Sequence, residues 1–129
     1  MPLVKLDIIK GRPPQAIKSL VDIVQAVLES HFNAPAYDRY QIITQHEPYE
    51  MICEDTGLGY QRTEKLVVVQ IFQQGRSAEM KQQFYKELAR RLEEECEVGP
   101  HDLIISCTGN EKEDWSFGEG RAQFLDGGL

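Results

Sequence analysis

The chain has few of the residues that mark whole classes of protein. Its 129 residues include three cysteines and one tryptophan, and 14 Lys and Arg stand against 21 Asp and Glu. Because binding to phosphate backbones needs clustered cations, a net charge of −7 argues against nucleic acids and anionic membranes as partners. No stretch is both long and apolar enough to suggest a membrane span. We therefore expect a cytoplasmic protein that binds neither nucleic acid nor membrane.

Metal and nucleotide motifs are also missing from the sequence. The three cysteines are an odd number without CxxC spacing, which is typical of reduced cysteines that serve as small apolar residues. The three histidines lack the spacing of metal ligands. Two Gly-x-Gly stretches lack the third glycine and the strand-before, helix-after context of a dinucleotide fingerprint. The residues thus give no indication of a metal or nucleotide cofactor.

An internal repeat is the strongest positive signal. A shift of 64 residues places Gly11-Arg12 on Gly75-Arg76, the apolar run 3–9 on 67–73, and Asp38 on Asp102. Each half then reads as strand, Gly-Arg turn, helix, loop and strand, which is a βαβ unit. The repeat predicts one α+β domain over residues 2–129. This domain has repeats at about 2–46 and 66–108 followed by an aromatic C-terminal segment.

The predicted elements form a four-stranded sheet with both helices on one face. The helices are expected at about 13–32 and from Ser77, a predicted N-cap, to before Gly99-Pro100. The second strands are expected at 39–45 and 103–107. Because 67–72 is almost continuously hydrophobic, the uncovered sheet face should be apolar, and a closed oligomer would bury it.

Pro2 is a candidate catalytic group. It directly precedes the predicted first strand, so we expect no leader segment before it, and removal of Met1 would make it an N-terminal secondary amine. An ordinary α-amine titrates at about 7.7–8.0, and a proline amine is somewhat more basic, so it can act as acid, base or nucleophile. The alternative is that Met-Pro is only a common start.

Three further kinds of residue carry possible chemistry. Arg76 follows a first strand at a helix start, where an arginine can bind a carboxylate bidentately, and Arg12 is its weaker counterpart. Asp38 precedes a strand and can orient water, bond a substrate oxygen or raise the pKa of Pro2. The alternatives are a solvent-facing turn arginine and a turn-capping aspartate. Trp115 and its aromatic neighbours either wall an apolar pocket or pack a core.

Taken together, these residues make the chain resemble the tautomerase superfamily, and within it most closely the malonate semialdehyde decarboxylases. The resemblance runs along nearly all of the chain. The stretches that carry it are Met1-Pro2-Leu3, Asp38-Arg39-Tyr40-Gln41, Glu54-Asp55-Thr56-Gly57-Leu58-Gly59-Tyr60, Arg76-Ser77, Asp114-Trp115-Ser116-Phe117-Gly118, Gly120-Arg121-Ala122 and Phe124-Leu125.

The resemblance implies a homotrimer and a cofactor-independent enzyme that acts on a small 3-oxo or 2-oxo carboxylic acid. Pro2, Asp38 and Arg76 match the family's catalytic residues. The family's decarboxylases carry a second arginine two residues before this one, which falls on Gln74 here. The matches to the family's hydrophobic wall are Trp115, Phe117, Phe124 and Leu129.

The resemblance leaves several functions open. The first is loss of CO₂ from malonate semialdehyde to give acetaldehyde. The alternatives are a keto–enol tautomerase or a hydratase acting on a related unsaturated acid, and a non-catalytic trimeric binding protein on the same scaffold.

Overall fold

The structure is a computed structural model, and it describes residues 2–129. Strand β1 spans Leu3–Ile9 and helix α1 spans Pro14–His31. Strand β2 spans Tyr40–His46, and after an irregular segment β3 spans Val67–Gln74. Helix α2 spans Ala78–Cys96, β4 spans Leu103–Asn110, and the short helix α3 spans Gln123–Asp126. The predicted main strands and helices lie within three residues of these bounds.

The local sequence explains where the two long helices begin and end. Pro14 opens α1, where a missing N–H has no helical partner to lose. Ser77 caps α2 by accepting a hydrogen bond from the Met80 amide at 3.1 Å, as predicted. α2 ends at Cys96, and the following residue, Glu97, caps it in a left-handed conformation with φ of 57°.

The four strands form one sheet in the order β2-β1-β3-β4. β1 is parallel to β2, β3 is parallel to β4, and the two central strands are antiparallel. The two βαβ units therefore meet along β1 and β3, related by an approximate two-fold axis. The starts of β1 and β2 and the ends of β3 and β4 lie at the same end of the sheet. The predicted α+β fold class is confirmed.

Alternate residues of the central strands pack against the helices. The buried side chains of this core come from β1, β3, α1 and α2: Val4, Leu6, Ile8, Val67, Val69, Ile71, Leu20, Val24, Leu28, Phe84, Leu88 and Leu92. The opposite, open face is more polar than the sequence predicted. Half-buried Val68 and Phe72 lie there beside exposed Lys5 and Gln70.

Candidate active site

Pro2 lies at the end of the sheet where the predicted site residues gather. It precedes β1, Asp38 precedes β2, and Arg76 follows β3. Leu3 pairs with Tyr40 of β2 on one side and with Phe72 of β3 on the other. Pro2 itself is buried. Removal of Met1 concerns a residue outside the described range.

Asp38 presents a buried carboxyl group beside the start of β1. Its side chain is 6% exposed, and its backbone N–H donates to the Pro35 carbonyl at 3.0 Å. Within residues 2–129 no side chain or backbone amide donates a hydrogen bond to this carboxylate. Burial raises the pKa of the Asp38 carboxyl above its ordinary value. A cation next to Asp38 would offset the cost of ionising this buried carboxyl.

Arg76 is held by backbone carbonyls rather than by an acid. Its Nε and Nη2 donate to the Phe32 carbonyl at 3.1 and 2.9 Å, and Nη1 donates to the Gln74 carbonyl at 2.7 Å. Its guanidinium carbon lies 5.5 Å from the centroid of the Phe32 ring. None of the ion pairs among the described residues includes Arg76. Burial lowers the pKa of the guanidinium, which still stays charged and retains N–H donors for a ligand.

At the opposite end of the sheet, the second repeat has an equivalent aspartate and the first repeat an equivalent arginine, and both bind a neighbouring segment of the chain. Asp102, the counterpart of Asp38, accepts hydrogen bonds from the Thr63 amide at 2.7 Å and the Thr63 hydroxyl at 2.5 Å. Arg12, the counterpart of Arg76, donates to the Lys65 carbonyl at 2.6 Å. Both thus bind the segment that leads into β3. These contacts give Asp102 and Arg12 a structural role.

The predicted aromatic residues form one cluster on the open side of the sheet. Trp115 stacks on Phe117 with centroids 5.3 Å apart, and Phe124 meets Phe117 edge-on at 5.5 Å. Tyr40 also stacks on Phe117, with centroids 5.8 Å apart. A cavity of about 470 Å³ lies between this cluster and Leu3 and Phe72. Its size suits a small ligand.

The last two predicted site residues lie at the margin of this region. Gln74 lines a neighbouring cavity of about 580 Å³ together with Gly75 and Leu125. Leu129 is 64% exposed, and its backbone amide donates to the Gln123 carbonyl at 3.1 Å. The aromatic cluster in the described chain is therefore formed without Leu129.

Sequence reasoning missed three residues at this end of the sheet. Asn110 lines both cavities and its Oδ1 accepts a hydrogen bond from Trp115 Nε1 at 2.9 Å. Tyr40 packs on Phe117, and Gln73 lies buried on β3. Tyr40 belongs to the stretch Asp38-Arg39-Tyr40-Gln41, which is one of those that carry the resemblance to the family. Asn110 and Gln73 gave no signal, because an amide in a strand or turn has no characteristic spacing.

The described residues include no group of three or more His, Cys, Asp and Glu side chains placed to hold a metal ion. No helix between residues 2 and 129 combines the length and apolarity needed to cross a membrane.

Comparison with protein families and curated proteins gives consistent matches. Two family models, both described as tautomerase enzyme, match residues 38–118 and 2–61. The probable tautomerase YrdN of Bacillus subtilis (strain 168) is 48% identical over 129 residues, which is all of both chains. The probable tautomerase YusQ of the same organism is 32% identical over 98% of this chain and 100% of its own.

Solved structures extend the match to three dimensions. A malonate semialdehyde decarboxylase, for which decarboxylase and hydratase activities are named, is 46% identical with a TM-score of 0.94 over 98% of each chain. The FG41 malonate semialdehyde decarboxylase inhibited by 3-bromopropiolate is 37% identical with a TM-score of 0.92, over 98% of this chain and 97% of its own. A fused 4-OT symmetric trimer shares the fold at 17% identity, with a TM-score of 0.77 over 96% and 98% of the two chains. Sequence and fold agree along the whole length: the chain belongs to the tautomerase superfamily.

Proposed function

We propose that this protein is a cofactor-independent, cytoplasmic enzyme whose catalytic amine is Pro2, exposed by removal of Met1. Its substrate is a small 3-oxo or 2-oxo carboxylic acid, and its reaction is loss of CO₂ from malonate semialdehyde to give acetaldehyde. The observation that carries the proposal is the difference between the two ends of the sheet. Asp102 and Arg12 bind the residues that precede β3. With Pro2 as the first residue, no main chain precedes β1, and Asp38 and Arg76 are left for an amine and a carboxylate.

Arg76 binds the substrate carboxylate in this proposal. The two carbonyl groups that accept its hydrogen bonds fix the guanidinium without neutralising it. An arginine held this way binds a carboxylate through two parallel hydrogen bonds. The bound carboxylate is turned so that the breaking C–C bond overlaps the carbonyl π system of the substrate. Near-attack geometry of this kind is a major source of rate enhancement.

Pro2 stabilises the electron pair that the departing CO₂ leaves on the substrate. Two routes serve this purpose: the protonated amine polarises the aldehyde oxygen and stabilises the enolate, or the amine forms an iminium that becomes an enamine. In both routes one proton is added at carbon as CO₂ departs, and acetaldehyde is released, after hydrolysis in the iminium route. Asp38 keeps the amine cationic, because a buried carboxylate raises the pKa of an adjacent ammonium.

The aromatic cluster supplies the apolar wall of the site. Trp115, Phe117 and Phe124 shield the reacting carbons, so that the charges on Arg76 and Pro2 act in a medium of low dielectric. Gln74 stands where the resemblance to the family's decarboxylases implies a second arginine, and it donates a hydrogen bond to the carboxylate. Leu129 closes the wall when substrate is bound.

The protein assembles as a homotrimer in this proposal. A fused 4-OT relative in the same fold was solved as a trimer. The open face of the sheet exposes Tyr40 and Ile42 to 39% and 51%, and the irregular segment before β3 exposes Ile52 to 82%. Burial of such apolar groups between subunits favours closed assembly. Sedimentation of the purified protein tests the stoichiometry.

The function is tested by an NMR time course with malonate semialdehyde. The protein is prepared with Pro2 as its first residue, as verified by intact mass, and is compared with Pro2→Ala. Acetaldehyde formation that depends on Pro2 is the expected result. Absence of turnover by a trimeric protein with a free Pro2 amine would refute the decarboxylase assignment.

A keto–enol tautomerase is the second candidate. With Gln74 in place of a second arginine, Arg76 is the single charged anchor for a carboxylate, which weakens the case for malonate semialdehyde as the substrate. The curated relative at 48% identity is also named a probable tautomerase. In this reaction Pro2 is the neutral base, so its pKa should lie near 6–7 rather than near 9. Ketonisation of an enol of a 2-oxo acid, followed by ultraviolet absorbance, tests this candidate. A hydratase on an unsaturated acid would use the same residues.

A further inference from the structure

Gln73 is a fully buried glutamine whose side-chain amide has no partner among the described residues. It is 0% exposed, and neither Nε2 nor Oε1 makes a hydrogen bond within residues 2–129. A buried amide in this state opposes folding, and native proteins rarely retain one without a use for it.

The strand register places Gln73 opposite Pro2. β1 and β3 pair antiparallel with Leu3 opposite Phe72, and the next pair along this register is Pro2 and Gln73. Both residues are buried, on the face of the sheet that the helices cover. Side chains directly opposite each other in such a pair have Cβ atoms about 4.5–5.5 Å apart. The longer glutamine side chain can span that distance.

The other residues of β3 on the helix-covered face are apolar. Val67, Val69 and Ile71 alternate along this face and belong to the hydrophobic core. Gln73 continues the same row with a polar side chain, so packing alone does not explain an amide beside Pro2.

The chemistry of the Pro2 nitrogen explains why the amide lacks a partner in the unprocessed chain. While Met1 is attached, this nitrogen is a tertiary amide with no hydrogen to donate. Once Met1 is removed it becomes a secondary amine, and its protonated form carries two N–H groups. Asp38 can accept only one of them along a good hydrogen-bond direction, so one N–H needs a second acceptor.

We propose that Gln73 is a positioning residue for Pro2: its buried Oε1 accepts one N–H of the Pro2 amine, while Asp38 accepts the other. This inference rests on the proposed function, because it requires Pro2 to be the first residue. When the amine loses the proton shared with Asp38, Gln73 keeps the remaining N–H. The lone pair of Pro2 is then directed away from β3 and toward the substrate.

The first test is a titration of ¹⁵N-proline-labelled protein by NMR, in chains that begin at Pro2. Gln73→Met keeps the length and shape of the side chain but removes the acceptor, so the pKa of Pro2 should fall by about one unit. The pH profile of turnover should shift by the same amount. The matched control is Gln25→Met. Gln25 is 4% exposed and donates to Glu29 at 3.0 Å within α1, so its replacement should leave the Pro2 pKa unchanged.

The outcomes separate this inference from the function on which it rests. An unchanged Pro2 pKa in Gln73→Met, with turnover retained in the parent chain, refutes the inference and leaves the proposed function standing; a buried water would then satisfy the amide. A lowered pKa in a chain that turns over no malonate semialdehyde supports the inference and contradicts the decarboxylase.

A second measurement uses stability and needs no activity. In a chain with one extra residue before Pro2 the Pro2 nitrogen cannot donate to Gln73, so Gln73→Met should raise the urea midpoint. In the chain that begins at Pro2, the same change should raise it less or lower it. Equal shifts in the two chains would contradict a hydrogen bond between Gln73 and the Pro2 amine.

Discussion

Replacing Asp102 by asparagine should destabilise the protein without impairing catalysis, because this carboxylate holds the chain that enters β3. It accepts hydrogen bonds from the amide and the hydroxyl of Thr63 at 2.7 and 2.5 Å, and it is buried. Hydrogen bonds to a charged group contribute about 1.5–3 kcal/mol each. Asparagine keeps one acceptor but turns an NH₂ group toward the other donor. The expected loss is about 2 kcal/mol in the free energy of unfolding, or roughly 5–10 °C in Tm.

Urea unfolding at a fixed protein concentration measures this loss, and Asp38→Asn is the matched control. Asp38 occupies the equivalent place in the first repeat, yet no described residue donates to its carboxylate. Asp38→Asn should therefore cost less than about 1 kcal/mol but lower kcat/KM at least ~100-fold, since in the proposed function its carboxylate pairs with the Pro2 amine. Equal effects of the two substitutions on stability, or on turnover, would refute the assignment of one aspartate to structure and the other to catalysis.

Three further predictions follow from the same geometry. Burial raises the pKa of Asp38 above 3.8, so its ionisation opposes folding. The chains compared carry an extra residue before Pro2 and have either Asp38 or asparagine at position 38. The stability of the Asp38 chain relative to Asp38→Asn should be highest at a pH below the ordinary aspartate pKa and should fall as the pH rises through the raised pKa of Asp38. Urea titrations across acid pH measure this difference. Gln74→Arg should lower KM for a carboxylate substrate about tenfold and lower the Pro2 pKa, and an unchanged KM would place Gln74 outside the site. Because Trp115 is the sole tryptophan, its fluorescence should change on binding of a small oxo acid, and Asn110→Ala, which removes its hydrogen bond at 2.9 Å, should weaken that binding.

The sequence predicted most of the fold because the two repeats report the same elements twice. Ser77 as the cap of α2 and the strand at 3–9 were found with correct bounds. β4 runs to Asn110 rather than 107, since its last residues pair with the end of β3 and are not apolar. The open face was predicted to be apolar from the run 67–72. Alternation places Gln70 on it and turns the buried valines of that run toward the helices.

The candidate site could be predicted from the sequence only as a set of residues at one end of the sheet and an aromatic cluster near it. Pro2, Asp38 and Arg76 follow from the topology of two antiparallel βαβ units. Their contacts do not, because Arg76 is oriented by carbonyl groups of Phe32 and Gln74 that have no sequence signature.

Gln73 shows most clearly what the repeat alone conceals. Aligned with Ile9 it reads as the last residue of an apolar strand, and only the pairing of β1 with β3 places it beside Pro2. A duplicated βαβ unit would begin with two equivalent Asp and Arg pairs. The second pair now binds the chain that joins the repeats. The first pair adjoins Pro2 and a buried amide. The two ends of the sheet therefore differ as expected if one binds the segment that precedes β3 and the other binds the amine of Pro2.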